Sequence, residues 1–242
     1  NINVVRKGKI LNSNHIDSLR KEVTDDKIRK IVFSILDGKA PGPDGFSSKF
    51  FKTSWDIVGN DVCCAVKDFF LSGQILKQIN HTNITLIPKT NQPQSVKDFR
   101  HIACCNMMYK IISKLLCNRI SIVLMDIISQ NQSAFIPDCD IRENIMICQD
   151  IVKLYTRKQC SPRILMKIDL QKAYDTVEWS FVKEMLMALN FPEDVSTLIM
   201  NCITSPSYSL SLNGESFGYF KGRRRLRQGD PLSPLLFTIC LE

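Results

Sequence analysis

No apolar run in this sequence approaches the ~18 uninterrupted residues that a membrane-spanning helix needs. The longest candidate, Ile111 to Ser129, is broken by Lys114, Arg119 and Asp126, so a membrane is not expected among the partners. No stretch has the layout of a secretory leader either; the chain opens on Asn1 and stops at Glu242 inside an apolar, helix-like run, and both ends are read as cut. The ten cysteines lack the spacing of a zinc knuckle: Cys63-Cys64 and Cys104-Cys105 are adjacent pairs, and His101 is the one imidazole near the second. Cys63, Cys148, Cys202 and Cys240 fall within apolar runs and read as small core residues, which points to a reducing intracellular compartment. Paired acids are scarce as well. Asp25-Asp26 is the one Asp-Asp pair, and it follows Thr24 at the start of a helical pattern, where acids complement the helix dipole rather than bind a metal.

What is present is apolar content and positive charge. With 242 residues, 44% of them hydrophobic, the chain can bury a substantial core as one large domain or two subdomains. A net charge of +8 gives the surface a field that favours a polyanion, either nucleic acid or an anionic membrane face.

Residues 1–22 show no clear periodicity and read as a linker. Ile28, Ile31, Val32, Ile35 and Leu36 then recur at helical spacing up to Gly38. Two prolines and two glycines between Lys39 and Phe46 forbid regular structure and predict a compact turn. Phe50, Phe51, Trp55, Val62, Val66, Phe69 and Phe70 predict helical core packing that ends at Gly73. Thr82 to Ile87 reads as a strand stopped by Pro88, followed by a polar turn to Lys97. A long helix is predicted through Met108, Ile112, Leu116, Ile120 and Ile127, with Lys110, Lys114 and Arg119 on a solvated face, and another through Ile141, Ile145, Cys148, Val152 and Tyr155. Helices through Val182–Leu189 and Val195–Cys202 precede Tyr208–Leu212, whose alternation predicts a half-exposed strand turned back at Asn213-Gly214. The return strand leads into Lys221, Arg223, Arg224, Arg225 and Arg227, a basic cluster suited to phosphate. Asp230-Pro231 predicts a helix start.

The chain is organised around Ile164-Leu165-Met166-Lys167-Ile168-Asp169-Leu170, an apolar run that ends abruptly in an acid. The pattern fits a strand covered on both faces, delivering the Asp169 carboxylate to an edge where Mg²⁺ could reach it; the alternative is an acid that merely leaves a strand or caps a turn. Three further motifs stand in order around it: Lys39-Ala40-Pro41-Gly42-Pro43-Asp44-Gly45-Phe46, then Leu86-Ile87-Pro88-Lys89 with Asp98-Phe99-Arg100, then Arg227-Gln228-Gly229-Asp230-Pro231-Leu232-Ser233-Pro234. With these motifs, from about Val23 to Glu242, the sequence resembles the reverse transcriptases of non-long-terminal-repeat (LINE-type) retrotransposons, especially those of plant genomes.

The resemblance implies an α+β chain with a right-hand polymerase fold, mostly helical fingers over residues 23–162 and a partial antiparallel palm sheet over 163–242. It implies an RNA-directed DNA polymerase of nucleus and cytoplasm that extends a DNA primer on an RNA template with deoxynucleoside triphosphates and Mg²⁺. Asp169, helped by the main-chain carbonyl of Leu170, is implied as metal ligand and catalytic acid. Lys89 and Arg100 are implied to grip the triphosphate, Tyr174 to exclude a 2′-hydroxyl, and Gln228 and Gly229 to lie along the nucleotide and template. Lys39, Arg223, Arg224 and Arg227 are implied to face nucleic acid. For Tyr174 a plain core position is the alternative. Asp175 reads as a helix cap, with Glu178 three residues on.

The remaining acids of the family come from an aromatic-x-Asp-Asp hairpin beyond the Arg-Gln-Gly-Asp-Pro element, which these residues do not reach. One acid holds two hard cations poorly, so these residues alone are expected not to polymerise. The chain also carries Arg100-His101-Ile102, Pro137-Asp138-Cys139 and Arg225 where the family usually has Arg-Pro-Ile, Pro-Gly-Arg and glycine. A decayed, non-catalytic copy that at most binds nucleic acid, and a maturase-like RNA-binding protein, are the two alternatives.

Overall fold

The computed structural model describes residues 5–6, 8–129, 131–133, 135–136, 139–153, 164–170 and 173–242. Its axis is the predicted long helix, Met107–Ile127 (α5 below). Ile111, Leu115 and Leu124 are buried as well as Ile112, Leu116 and Ile120, so this helix is covered on more than one side. Packed on it are α1 (Ser13–Arg20), α2 (Asp25–Ser34) and α4 (Trp55–Ser72), the last preceded by the short α3 (Ser48–Thr53). Thr24 caps α2, its hydroxyl accepting from Lys27 N at 3.4 Å, while Asp25 and Asp26 pair with Lys67 and Lys30 at 2.6 and 2.7 Å. The helix ends at Ser34, before the expected Gly38. Gly73 closes α4 at φ 71°, donating to Phe69 O, as its position in the sequence predicts.

Within the expected linker over residues 1–22, Ser13–Arg20 is instead a helix. Asn12 caps α1, its Oδ1 accepting from His15 N at 3.0 Å, and Leu11 and Leu19 are buried. Leu11 N donates to Leu189 O, and Asn190 Nδ2 donates to Leu11 O, each at 3.0 Å. Two leucines in a polar segment are too few to show a period, yet enough to anchor a capped helix. The solvated reading of Lys110 and Arg119 fails in the same way. Arg119 donates to Leu19 O and Lys21 O and lies 4.8 Å over the Phe70 ring, and burial lowers its pKa.

One four-stranded sheet runs in the order β2-β1-β3-β4, with β1 His81–Pro88, β2 Phe99–Cys105, β3 Ser207–Leu212 and β4 Glu215–Lys221. Hairpins β1/β2 and β3/β4 are antiparallel, but β1 and β3 pair parallel, so the expected antiparallel sheet is mixed. The helices that lie between them in the chain belong to the crossover that a parallel pair requires. Asn213-Gly214 forms the predicted turn, with φ 52° and 88°. Residues on both sides of position 162 thus share a sheet, and the hydrophobic core runs unbroken from Leu11 to Ile239.

After the sheet's first hairpin come α5, α6 (Ile141–Lys153), α7 (Ala173–Thr176), α8 (Trp179–Ala188) and α9 (Glu193–Thr204); after the second comes α10 (Ser233–Leu241). The last starts two residues beyond Pro231. Helix α6 forms as expected up to Lys153, with none of its residues buried; Tyr155 lies outside the described residues. Ile164–Leu170 departs most from expectation. It has no regular structure, and Ile164 and Met166 are 89% and 74% exposed. No described strand pairs with it, and a lone extended segment has no partner for its backbone groups.

Candidate functional site

The first hairpin presents two cations together. Ile87 pairs with Arg100 across β1 and β2, and Lys89 N donates to Asp98 O at 2.7 Å, closing the turn. Asp98 makes that turn rigid: its carboxylate accepts from Ser95 N, Gln94 N and Ser95 Oγ at 2.9–3.2 Å. Those bonds, the one from the Ser95 backbone first, hold its pKa below the ordinary carboxylate value. Lys89 Nζ donates to Lys97 O at 2.9 Å, which orients the ammonium without neutralising it. The sequence reading passed over this role of Asp98, although a Ser-x-x-Asp spacing is a recognisable turn signal.

Opposite the hairpin, two segments are stitched together. Leu226 N donates to Tyr174 O at 2.9 Å, Arg225 N to Val177 O at 3.1 Å, and Trp179 Nε1 to Arg225 O at 2.9 Å. Arg225 also reaches Asp175 at 3.7 Å. These contacts fix Arg225 at φ 92°, a conformation costing a bulky residue roughly 1–3 kcal/mol. On the other side, Gln228 O accepts from Ala103 N at 2.8 Å. Gly229, at φ 111°, needs its bare α-carbon there, since a Cβ would sit 3.0 Å from Ala103 O.

Two adjoining cavities of about 450 Å³ each result, a size typical of small-molecule sites. One is lined by Lys89, Lys97, Arg100, Tyr174, Arg225 and Gln228. The other has Ile84, Tyr208, Leu210 and Phe220 on its apolar side and Lys221, Arg223 and Arg224 on its basic side. Asp175, Arg225 and Gln228 line both. A larger cleft between α1, α4 and α9, about 1000 Å³, holds the Arg20–Asp194 ion pair at 2.9 Å.

A family model described as reverse transcriptase (RNA-dependent DNA polymerase) matches residues 87–242, well over half of the chain and all of this site but Ile84. The chain belongs to the reverse transcriptase family. It is similar to an uncharacterized 149 kDa protein of transposon TX1 from Xenopus laevis, 25% identical over 93% of the chain and 17% of that protein. It is likewise similar to the retrovirus-related Pol polyproteins of R2 retrotransposable elements. The Drosophila melanogaster one is 24% identical over 97% of the chain and 22% of its own length; the Nasonia vitripennis one is 24% identical over 94% and 21%. The LINE-type resemblance seen in the motifs is thereby shown, and the chain spans about a fifth of the length of these relatives.

Within this reverse transcriptase domain, four of the residues assigned to the nucleotide, Lys89, Arg100, Tyr174 and Gln228, converge on one cavity. Tyr174 also packs on Phe237, ring centroids 5.2 Å apart, so its ring leans on the core while lining the cavity. Gly229 serves the packing of its loop on β2 rather than lining either cavity. Asp169 and Leu170 are exposed and line neither. Asp175 does not cap α8, whose N-cap is Glu178; it lies in α7, engaged by Arg225.

Arg227 is the clearest correction. Expected to face nucleic acid, it is buried, donating to Asn80 Oδ1, Thr82 Oγ1 and Cys202 O at 2.7–3.2 Å, with Asp230 at 3.4 Å and the Tyr109 ring 3.8 Å from its guanidinium carbon. Sequence alone could not separate it from its exposed neighbours Arg223 and Arg224. Lys39 is exposed on a loop pinned to α5: Lys110 Nζ donates to Ala40 O at 2.7 Å and Asp44 N to Asn106 Oδ1 at 3.2 Å. Reverse transcriptase domains use divalent metal ions. Among the described residues, no three of His, Cys, Asp and Glu converge to hold one, so these residues do not by themselves fit the ion. The Pro137-Asp138 departure lies outside the described residues, and among those described no helix is long and apolar enough to cross a membrane.

Proposed function

We propose that this chain is the nucleotide-gripping part of an RNA-directed DNA polymerase, with the cavity between the β1/β2 hairpin and the Tyr174 and Gln228 segments as its deoxynucleoside triphosphate site. The observation that carries the reading is the meeting of Lys89, Arg100, Tyr174 and Gln228, from three separate stretches of sequence, on that cavity. Two cations suit a triphosphate, because charge-assisted hydrogen bonds to phosphate are among the strongest available. The planar amide of Gln228 and the Tyr174 ring form the wall against which a base and sugar would lie, with Tyr174 set to discriminate on the 2′-hydroxyl. Lys39 and the exposed Arg223 and Arg224 are assigned to the backbones of an RNA template and DNA primer. This assigns fingers to residues 23–162 and palm to 163–242 within a right-hand polymerase.

Mg²⁺ is the ion assigned to the reaction, and Asp169 with the Leu170 carbonyl are the contribution of these residues to it. The chain alone is expected to bind nucleotide without extending a primer, because Asp169 is joined by no other acid cluster among the described residues. The test is titration of the purified chain with dTTP, followed by intrinsic fluorescence. Lys89→Ala and Arg100→Ala should each weaken binding about tenfold, the loss expected of a charge-assisted contact. Unchanged binding in both variants would remove this cavity as the nucleotide site.

A further inference from the structure

Arg225 is a bulky residue at φ 92°, held there by its N–H donating to Val177 O and by the Trp179 indole N–H donating to its carbonyl, and among the described residues it is the one Lys or Arg lining both cavities. Backbone strain of this kind persists where surrounding structure over-determines it, and it concentrates at ligand sites. The partner of Arg225 is weakly held: Asp175 lies 3.7 Å away, beyond hydrogen-bond distance, with the arginine side chain 54% exposed. Lys89 and Arg100 line the same cavity from the opposite wall.

We infer that Arg225 is a third phosphate-binding residue of the nucleotide cavity, parked on Asp175 when the site is empty and transferred to the triphosphate when it is filled. This rests on the nucleotide reading above. In the empty site Asp175 offsets a third positive charge between two others; in the filled site the triphosphate supplies more negative charge than Lys89 and Arg100 balance alone. Asp175 therefore acts as a competitor of the nucleotide, and its removal should favour binding.

The experiment compares dTTP and dTMP titrations of the whole chain and its variants at fixed ionic strength. Arg225→Ala should weaken dTTP about five- to tenfold, as loss of one charge-assisted contact predicts, and change dTMP less than twofold. Arg225→Lys should recover part of the dTTP affinity, and Asp175→Asn should tighten dTTP. Arg225→Gly relieves the positive φ, so it should melt at a higher temperature than the parent while binding dTTP as poorly as the alanine variant. That separates ligand contact from folding. If the parent binds dTTP and loses it on Lys89→Ala or Arg100→Ala, but Arg225→Ala leaves it intact or weakens single-stranded RNA binding instead, the inference about Arg225 is overturned and the nucleotide site stands. Tighter dTTP binding missing from Asp175→Asn would overturn the competitor role. A parent chain that binds no dTTP would overturn both readings.

Discussion

His81, at the start of β1, shows how one side chain ties a strand pair to pH. Its Nδ1 lies 2.8 Å from Ser207 Oγ and its Nε2 lies 3.1 Å from Ser209 Oγ, with Tyr219 stacked 5.4 Å away. Ser209 Oγ donates its one proton to Gly218 O at 2.7 Å, so it must accept from His81 Nε2–H, leaving Nδ1 to accept from Ser207. The neutral imidazole fits this arrangement with Ser207 donating, whereas the charged ring would need the Ser207 hydroxyl to accept instead, and burial holds the His81 pKa below its ordinary value. With the folded value depressed, the unfolded chain takes up the proton first as pH falls. Stability from this group is therefore complete above about pH 6.5 and is lost as pH drops through the folded value. The melting temperature should decline between pH 7 and pH 5, and His81→Gln should flatten that decline. Superimposable profiles would show that the ring is not the titrating group.

At the scale of elements, the loop over residues 39–46 and the N-terminus of α5 form one unit. Asn106, the N-cap of α5, makes no capping bond of its own; its amide instead donates to Gln78 O at 2.8 Å, and its Oδ1 accepts from Asp44 N. Gly42 lies so close that a Cβ would fall 2.1 Å from Asn106 Oδ1 and 2.4 Å from its backbone N. Gly42→Ala should cost about 1–3 kcal/mol in urea unfolding, as overpacking does, and should speed amide exchange at Asp44. A neutral change would mean that the loop floats free of α5. The glycines and prolines announced a compact turn here, because backbone restriction is written in residue type. Which surface the turn packs on depends on a partner some sixty positions away, and no local pattern encodes that. The same contrast holds in the site. The strand leading to Lys89 was legible because a β-branched run stopped by a proline marks it, while the hairpin that sets Arg100 beside it was implied by the resemblance. The apolar run before Asp169 promised a buried strand, but a strand needs a neighbour to pair with, and composition carries no information about whether one is present.

For the molecule as a whole, Arg227 is the point where distant parts meet. Its guanidinium joins Asn80 and Thr82 at the start of β1, Tyr109 of α5, Cys202 of α9 and Asp230 before α10. Burial pushes the Tyr109 phenol well above its ordinary value, so it stays protonated and donates to Asp230 Oδ2 at 2.5 Å, while Leu232 N donates to Oδ1 at 3.0 Å. The network therefore spans both sides of the boundary between residues 162 and 163, as the shared sheet does. Removing one partner of a buried ion pair leaves a charge without compensation, at a cost of about 3–5 kcal/mol, whereas replacing both is far milder. Arg227→Met should accordingly lower the urea midpoint sharply, and Arg227→Met with Asp230→Asn should recover a measurable part of the loss. Arg227→Lys should not rescue, since an ammonium cannot serve the same fork of acceptors while lying flat on Tyr109. Unfolding should stay a single transition in every variant, by fluorescence and circular dichroism alike. Two separated transitions, or a loss below about 1 kcal/mol in Arg227→Met, would mean that the parts on either side of that boundary fold as independent units and that this arginine merely sits between them.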